Sequence, residues 1–163
     1  KELGDEDKAL ECDQQYMDKN PNAAPTDFMK LAEIYVNKAK KDPAKKVENI
    51  DKAIGVYAKL AEKYPTLKPF AKLQEGNTAF QNELDDKAIA AYTEVINELE
   101  AKQCDEDELS YLKTSYQYMG FIYTYDKQDF NTAKPYWDKL LKLDPQNKLA
   151  NDAYEKAGLK PGE

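Results

Sequence analysis

Apolar residues fall at helical spacing along most of the chain, and prolines and glycines sit between the stretches that show it. Phe28, Leu31, Ala32, Tyr35 and Ala39 form the i, i+3, i+4, i+7 stripe of a helix with one buried face, predicted over about 26–40 with Thr26 as its N-cap. Asp42-Pro43 restarts a helix, with aspartate as cap and proline in the first turn. It carries Val47, Ile50, Ala53, Ile54, Tyr57, Leu60 and Ala61 and stops before Pro65. Pro69 opens the next, through Leu73, Gly76 and Phe80 to about Asn82, and Asp85 is expected to cap a helix carrying Ala88, Ile89, Tyr92, Val95, Ile96 and Leu99. The acidic run Asp105–Glu108 suits a helix start, because it opposes the positive end of the helix dipole. A calcium loop would need alternating Asp/Asn ligands and a glycine turn, which the run lacks. That helix continues through Tyr116, Met119, Gly120 and Tyr123. Its partner spans 130–143 with Ala133, Trp137, Leu140, Leu141 and Leu143, and a last helix over about 147–157 ends at Gly158 with Leu159 behind it. A further helix over 5–19 stops before Asn20-Pro21. No strand-like alternation is present, so the expected fold is all-α, about eight helices in consecutive antiparallel pairs.

Small residues recur inside these helices at one fixed interval, at Ala32, Gly76 and Gly120. A glycine inside a helix costs about 1 kcal/mol relative to alanine, so it needs a packing reason. Close crossing of a second helix is such a reason, and recurrence implies one helix pair built three times.

Composition narrows the function. Net charge is −7, all 24 basic residues are lysine, and histidine is absent. Bidentate arginine clamps, histidine triads and histidine metal sites cannot form. An acidic chain with dispersed lysines is a poor candidate for nucleic acid, whose affinity comes largely from phosphate neutralisation. No apolar run approaches the ~20 residues of a membrane span. Cys12 and Cys104 lie far apart without a CxxC pattern and are expected as unpaired thiols. No nucleophile elbow, P-loop or dinucleotide fingerprint is present, and neither a cofactor nor a metal is expected.

The residues already named resemble the tetratricopeptide repeat family, whose pattern is W-x2-L-G-x2-Y, then A-x3-F-x2-A, then proline over about 34 residues. Tyr116, Met119, Gly120 and Tyr123, then Ala133, Trp137, Leu140 and Pro145, fit with one extra residue in the turn. Phe28, Leu31, Ala32 and Tyr35, then Ala53, Tyr57, Leu60 and Pro65, fit with a turn about nine residues too long. Gly76, Ala79, Ala88, Tyr92 and Val95 fit between them, but Lys72 and Glu75 replace large apolar residues there. The resemblance implies a right-handed α-α superhelix, or solenoid, of about three such helix pairs plus a C-terminal capping helix. The implied layout is a single domain over 5–157: a partial repeat over about 5–24, repeats over 26–65, 69–101 and 107–145, a capping helix over 147–157 and a tail over 158–163.

The resemblance also implies a non-catalytic scaffold that binds a protein or peptide segment along the concave wall lined by first helices. The candidate partner-binding residues are Met29, Glu33, Asn77, Phe80, Gln81, Tyr118, Phe121 and Tyr125. The same wall would include Phe70, Leu73, Gln74, Gln117 and Thr124. Phe80, Tyr118, Phe121 and Tyr125 are large for an exposed wall. They are either interface anchors or covered by the last helix through Leu149, Ala153 and Tyr154. Family members that clamp an acidic chaperone C-terminus do so with lysine, asparagine and arginine at fixed positions. Here Met29 and Glu33 depart from that pattern and Asn77 alone keeps it. Two alternatives stand beside the scaffold: a self-associating module forming a homodimer through repeat ends, and an accessory part of an enzyme whose catalytic domain lies elsewhere. The start at Lys1, without a signal-peptide pattern, reads as a C-terminal fragment or processed form. The lysine-rich, arginine-free style suggests a bacterial protein, periplasmic or otherwise exported rather than cytoplasmic.

Overall fold

The computed structural model describes residues 2–20 and 22–162, with side chains from Lys8 onward apart from Asp18. Lys1, Pro21 of the expected helix stop, and Glu163 of the tail lie outside the described residues. Eight α-helices and no strand occur among those described, and within each of two units consecutive helices pack on one another. The chain divides into two compact units, Lys1–Glu83 and Leu84–Glu163, with the division between the two helices of the expected middle repeat.

In the first unit α1 is Glu2–Lys19, α2 Pro25–Lys41, α3 Lys46–Lys63 and α4 Lys68–Phe80. The α2 helix opens with Pro25 in its first turn, and the Asp27 carboxylate accepts a hydrogen bond from the Ala24 N–H at 2.9 Å. Thr26, expected as the cap, is instead exposed inside the first turn, because Asp27 reaches back past it. Asp42 caps as expected, its carboxylate accepting from the Ala44 N–H at 3.1 Å, although Pro43–Lys45 first makes a 3-10 turn. The surplus residues expected in a long turn are wound into helix. The α2 and α3 helices run 17 and 18 residues, against 13 for α4.

The core of this unit joins Phe28, Leu31, Ala32 and Tyr35 of α2 to Ala53, Val56 and Leu60 of α3, with Leu10 and Met17 of α1 on one side and Ala71 of α4 on the other. Burying a side chain such as Phe28 or Leu60 contributes roughly 1.5–3 kcal/mol. Two tyrosines fasten the α1–α2 corner. The Tyr64 hydroxyl donates to the Ala23 carbonyl at 2.6 Å, and the Tyr35 hydroxyl to Gln14 Oε1 at 3.0 Å. Val47, read as part of the α3 stripe, is 55% exposed, because it lies in the first turn beyond the reach of α2. Gly76 is buried on α4. Lys72 and Glu75, the apparent violations of the repeat pattern, pair with each other at 3.1 Å while nearly buried.

In the second unit α5 is Asp85–Leu99, α6 Glu106–Phe121, α7 Phe130–Leu143 and α8 Lys148–Lys156. Leu84 holds the N-cap position that was expected for Asp85, which with Asp86 lies in the first turn, where acidic side chains favour the dipole. Asp105 and Glu108 form a reciprocal capping box, Asp105 Oδ1 accepting from the Glu108 N–H at 2.8 Å. Gly158, at φ +69°, closes α8, and the Leu159 N–H bonds the Tyr154 carbonyl at 3.1 Å, the wide bond of a glycine stop.

The centre of this unit is the crossing of α6 and α7. Trp137 is fully buried, and a Cβ built on Gly120 would come within 2.6 Å of its indole ring. Glycine is therefore required there by the tryptophan face. Beyond it α6 widens into a π-helical turn, Ile122–Asp126, with the Lys127 N–H bonded to the Ile122 carbonyl at 2.9 Å. This turn takes up the one extra residue in the repeat pattern and aims Thr124 Oγ1 at Trp137, whose Nε1–H donates to it at 2.8 Å.

Two glycine substitutions should act in opposite directions. Gly120→Ala should lower unfolding free energy by about 1–3 kcal/mol, since the indole has no space into which to retreat. Gly55, inside α3, has nothing within 4 Å of an added Cβ. Gly55→Ala should therefore raise stability by about 0.5–1 kcal/mol through helix propensity and backbone entropy. Urea midpoints of the two variants and the parent chain measure both effects.

Candidate interaction surface

The residues expected on the binding wall are spread over α2 and α4 in the first unit and α6 in the second. On α2, Met29 is half-buried and Glu33 exposed, beside Val36, which packs against the core. Glu33 lies near Tyr57 of α3. Burial pushes the Tyr57 hydroxyl up from its ordinary pKa, and the Glu33 charge adds to that shift. On α4, Asn77 and Phe80 are half-buried and Gln81 is exposed at the helix end, where its N–H bonds the Asn77 carbonyl at 3.0 Å. Leu73, expected on the wall, is buried at 5% exposure, and Phe70 packs partly against the core. The turn of α4 is such that these two belong more to the interior than the family pattern implies.

On α6 the aromatic residues are ordered by the helices around them. Tyr118 stacks on Tyr92 of α5, ring centroids 5.5 Å apart and planes 12° from parallel. Tyr92 is fully buried, and burial, followed by the neighbouring Tyr118, pushes its hydroxyl far above the usual value. It is a neutral apolar platform at any physiological pH. Phe121 and Tyr125 pack together at 4.8 Å and 45°.

The last helix covers part of this face. The Lys156 ammonium sits over the Tyr125 ring at 4.7 Å, and Asn147 Nδ2 donates to Gln117 Oε1 at 3.2 Å. The α8 helix itself is anchored on Ala153 and Tyr154, both buried, while Leu149 is 39% exposed. Tyr154 meets Phe130 edge to face, and its hydroxyl donates to the Asp138 carboxylate. Thr124, expected on the wall, is the acceptor for Trp137 and serves the core. The α6 face thus divides into Gln117 and Tyr125 under α8, Thr124 turned to α7, and the half-buried aromatics Tyr118 and Phe121.

A polar cluster in the second unit escaped the sequence reading. The Tyr116 hydroxyl and the Lys139 ammonium both donate to Glu100 Oε1, each at 2.6 Å, and Lys139 also lies over the Tyr116 ring at 5.7 Å. These groups edge an open cavity of about 370 Å³ that also holds Cys104. Burial pushes the Cys104 thiol up, and nearby Glu108 adds to it. Burial and the Glu100 hydrogen bond do the same to the Tyr116 hydroxyl. Neither group is activated as a nucleophile or base at neutral pH. Tyr116 stood out as a repeat position, but Glu100 and Lys139 occupy ordinary surface positions with no motif to mark them. Both cysteines are free thiols, and no group of three or more potential metal ligands occurs among the described residues. No described helix is long and apolar enough to cross a membrane.

The cluster gives stability a defined pH dependence. Burial raises the Glu100 carboxyl, but the bonds from Lys139 and Tyr116 outweigh it and hold the group below its usual 4.5. A depressed folded-state pKa stabilises fully above the unfolded value and loses that effect as pH falls through the folded value. Glu100→Gln should therefore melt below the parent chain at pH 7, and the gap should close once pH drops below about 4. Thermal melts over a pH series test this.

Residues 28–66 match the family model described as tetratricopeptide repeat, a stretch that begins inside α2, contains all of α3 and ends just past Pro65. No curated protein and no solved structure matched the chain. Residues 28–66 are thus similar to a tetratricopeptide repeat, and the two helices they span, α2 and α3, pack on each other as such a repeat requires.

Proposed function

We propose that the chain is a non-catalytic interaction scaffold that binds an extended or helical segment of a partner protein along its first-helix surfaces. Such repeats generally mediate protein–protein interaction, and repeat arrays bind along the wall their first helices line. The observation that carries the reading is Tyr118, stacked on a buried Tyr92 and still partly exposed. An aromatic side chain held in one orientation before binding loses little entropy on contact, and a tyrosine offers both apolar area and a hydroxyl. Phe121 extends the aromatic area along the same helix, with Tyr125 beside it. On the first unit the corresponding residues are Met29 and Glu33 of α2 and Asn77, Phe80 and Gln81 of α4. They are more polar and suit orientation of a segment more than its anchoring.

Affinity capture with the intact chain, comparing the parent with Tyr118→Ala and Phe121→Ala, tests the reading. Each variant should lose captured partner by about tenfold or more while its melting temperature falls by only a few degrees, the stacked pair being worth about 0.5–1.5 kcal/mol. Large losses of stability with capture unchanged would assign both residues to the core and end the proposal.

A further inference from the structure

We propose that the cavity between the α5–α6 turn and the end of α7 binds a small aliphatic carboxylate, with its chain on the leucines and its head on Lys142. The cavity, of about 370 Å³, is formed wholly within the second unit. That volume lies in the lower part of the range for small-molecule sites. Its apolar lining comes from three helices: Leu99 at the end of α5, Leu109 and Leu112 on α6, and Leu143 at the end of α7. Leu99 and Leu112 are buried, Leu109 is half-buried and Leu143 is 37% exposed. An alkyl chain laid on them removes from water the leucine surface that folding leaves wet.

The polar groups around the leucines select the head of the ligand. Most are already engaged with one another. Tyr116 and Lys139 both bond Glu100 Oε1, each at 2.6 Å, and Lys102 pairs with Glu108 at 2.5 Å. The Cys104 thiol donates to the Leu99 carbonyl at 3.3 Å. Lys142, at the rim, makes no ion pair among the described residues. The carboxylate one turn before it, Asp138, is taken by Lys134 at 3.1 Å and by the Tyr154 hydroxyl. The lining thus offers a single unengaged ammonium beside apolar surface. A peptide backbone brings amides that lose water on entry and need partners, and the engaged groups have none to give. A cationic head meets three lysines against one carboxylate, Glu100. One anionic group on an apolar chain satisfies both conditions, and one ammonium matches a monoanion. None of these groups is among the residues assigned to partner binding, so the test is independent of Tyr118 and Phe121.

Cys104 lines the cavity and reports its occupancy, with the exposed Cys12 on α1 as internal reference. Alkylation of both thiols by iodoacetamide in the intact chain is followed by peptide mass spectrometry at fixed pH and ionic strength, against rising octanoate below its micelle concentration. Octanoate at about ten times its half-protecting concentration should slow Cys104 roughly tenfold and leave Cys12 unchanged. Butanoate, with less chain to bury, should protect only at concentrations about tenfold higher or more. Lys142→Gln, at an exposed position, should keep the helical signal and raise the half-protecting concentration of octanoate by about threefold or more. Equal slowing of both cysteines, or of neither, would overturn the proposal. Protection by octylamine as strong as that by octanoate would also overturn it, as would octanoate protection indifferent to Lys142→Gln. A peptide ending in leucine that protects Cys104 where octanoate does not would overturn it in favour of a polypeptide occupant.

Discussion

The Trp137 indole lies flat against a helix that has no side chain at the point of contact, and much of the second unit follows from that constraint. Two helices can approach closely only where one presents bare backbone or a methyl group. Gly120 supplies the bare backbone on α6 against Trp137, and Ala133 on α7 is also fully buried. The indole N–H then needs an acceptor in an otherwise apolar interior. Thr124 meets that need because α6 widens into a π-helical turn, which resets the register of the residues after Ile122. An insertion that would break a strictly periodic pattern thus becomes the device that satisfies the tryptophan. In the first unit Ala32 and Ala53, both fully buried, permit the α2–α3 crossing in the same way, with Phe28 and Leu60 filling the space around them.

Helix positions were legible because hydrophobic period, proline and glycine agree with one another over nearly the whole chain. Gly120 was the most informative residue, since a glycine inside an amphipathic helix has few explanations and close packing is the commonest. The caps were less legible. Thr26 and Asp85 are good cap residues by type, but Asp27 and Leu84 decide the starts, because the preceding backbone, fixed by Pro25 and by the turn at Glu83, sets where the helix can begin. The fate of surplus residues was also hidden. Nothing in a count of residues says whether an insertion will loop out or wind into helix; here the high helix propensity of the lysine- and alanine-rich stretch extends α2 to Lys41.

The candidate surface was legible in its helices and less so in its individual side chains. Family spacing places residues on a first-helix face, but it cannot say which neighbour each one touches. Leu73 is buried, and Thr124 is claimed by Trp137, thirteen residues further along the chain. The Glu100–Tyr116–Lys139 cluster illustrates the same gap. Its members come from α6, α7 and the end of α5, and only the fold brings them together. Lys72 and Glu75 looked like defects in the repeat pattern when each was judged alone. As a pair, three residues apart on one helix, they neutralise each other at nearly buried positions.

The last helix bears on how the α6 face can work. Its firm attachments are Ala153 and Tyr154, which are buried, and the bond from Tyr154 to Asp138 on α7. Its contacts with the α6 wall are of another kind. Lys156 over Tyr125 and Asn147 on Gln117 are single polar contacts at partly exposed sites, each worth on the order of 1 kcal/mol or less. Displacing the lysine side chain from Tyr125 would leave the buried residues of α8, Ala153 and Tyr154, in place. Contact of Lys156 with Tyr125 is therefore compatible with the partner binding proposed for the α6 face.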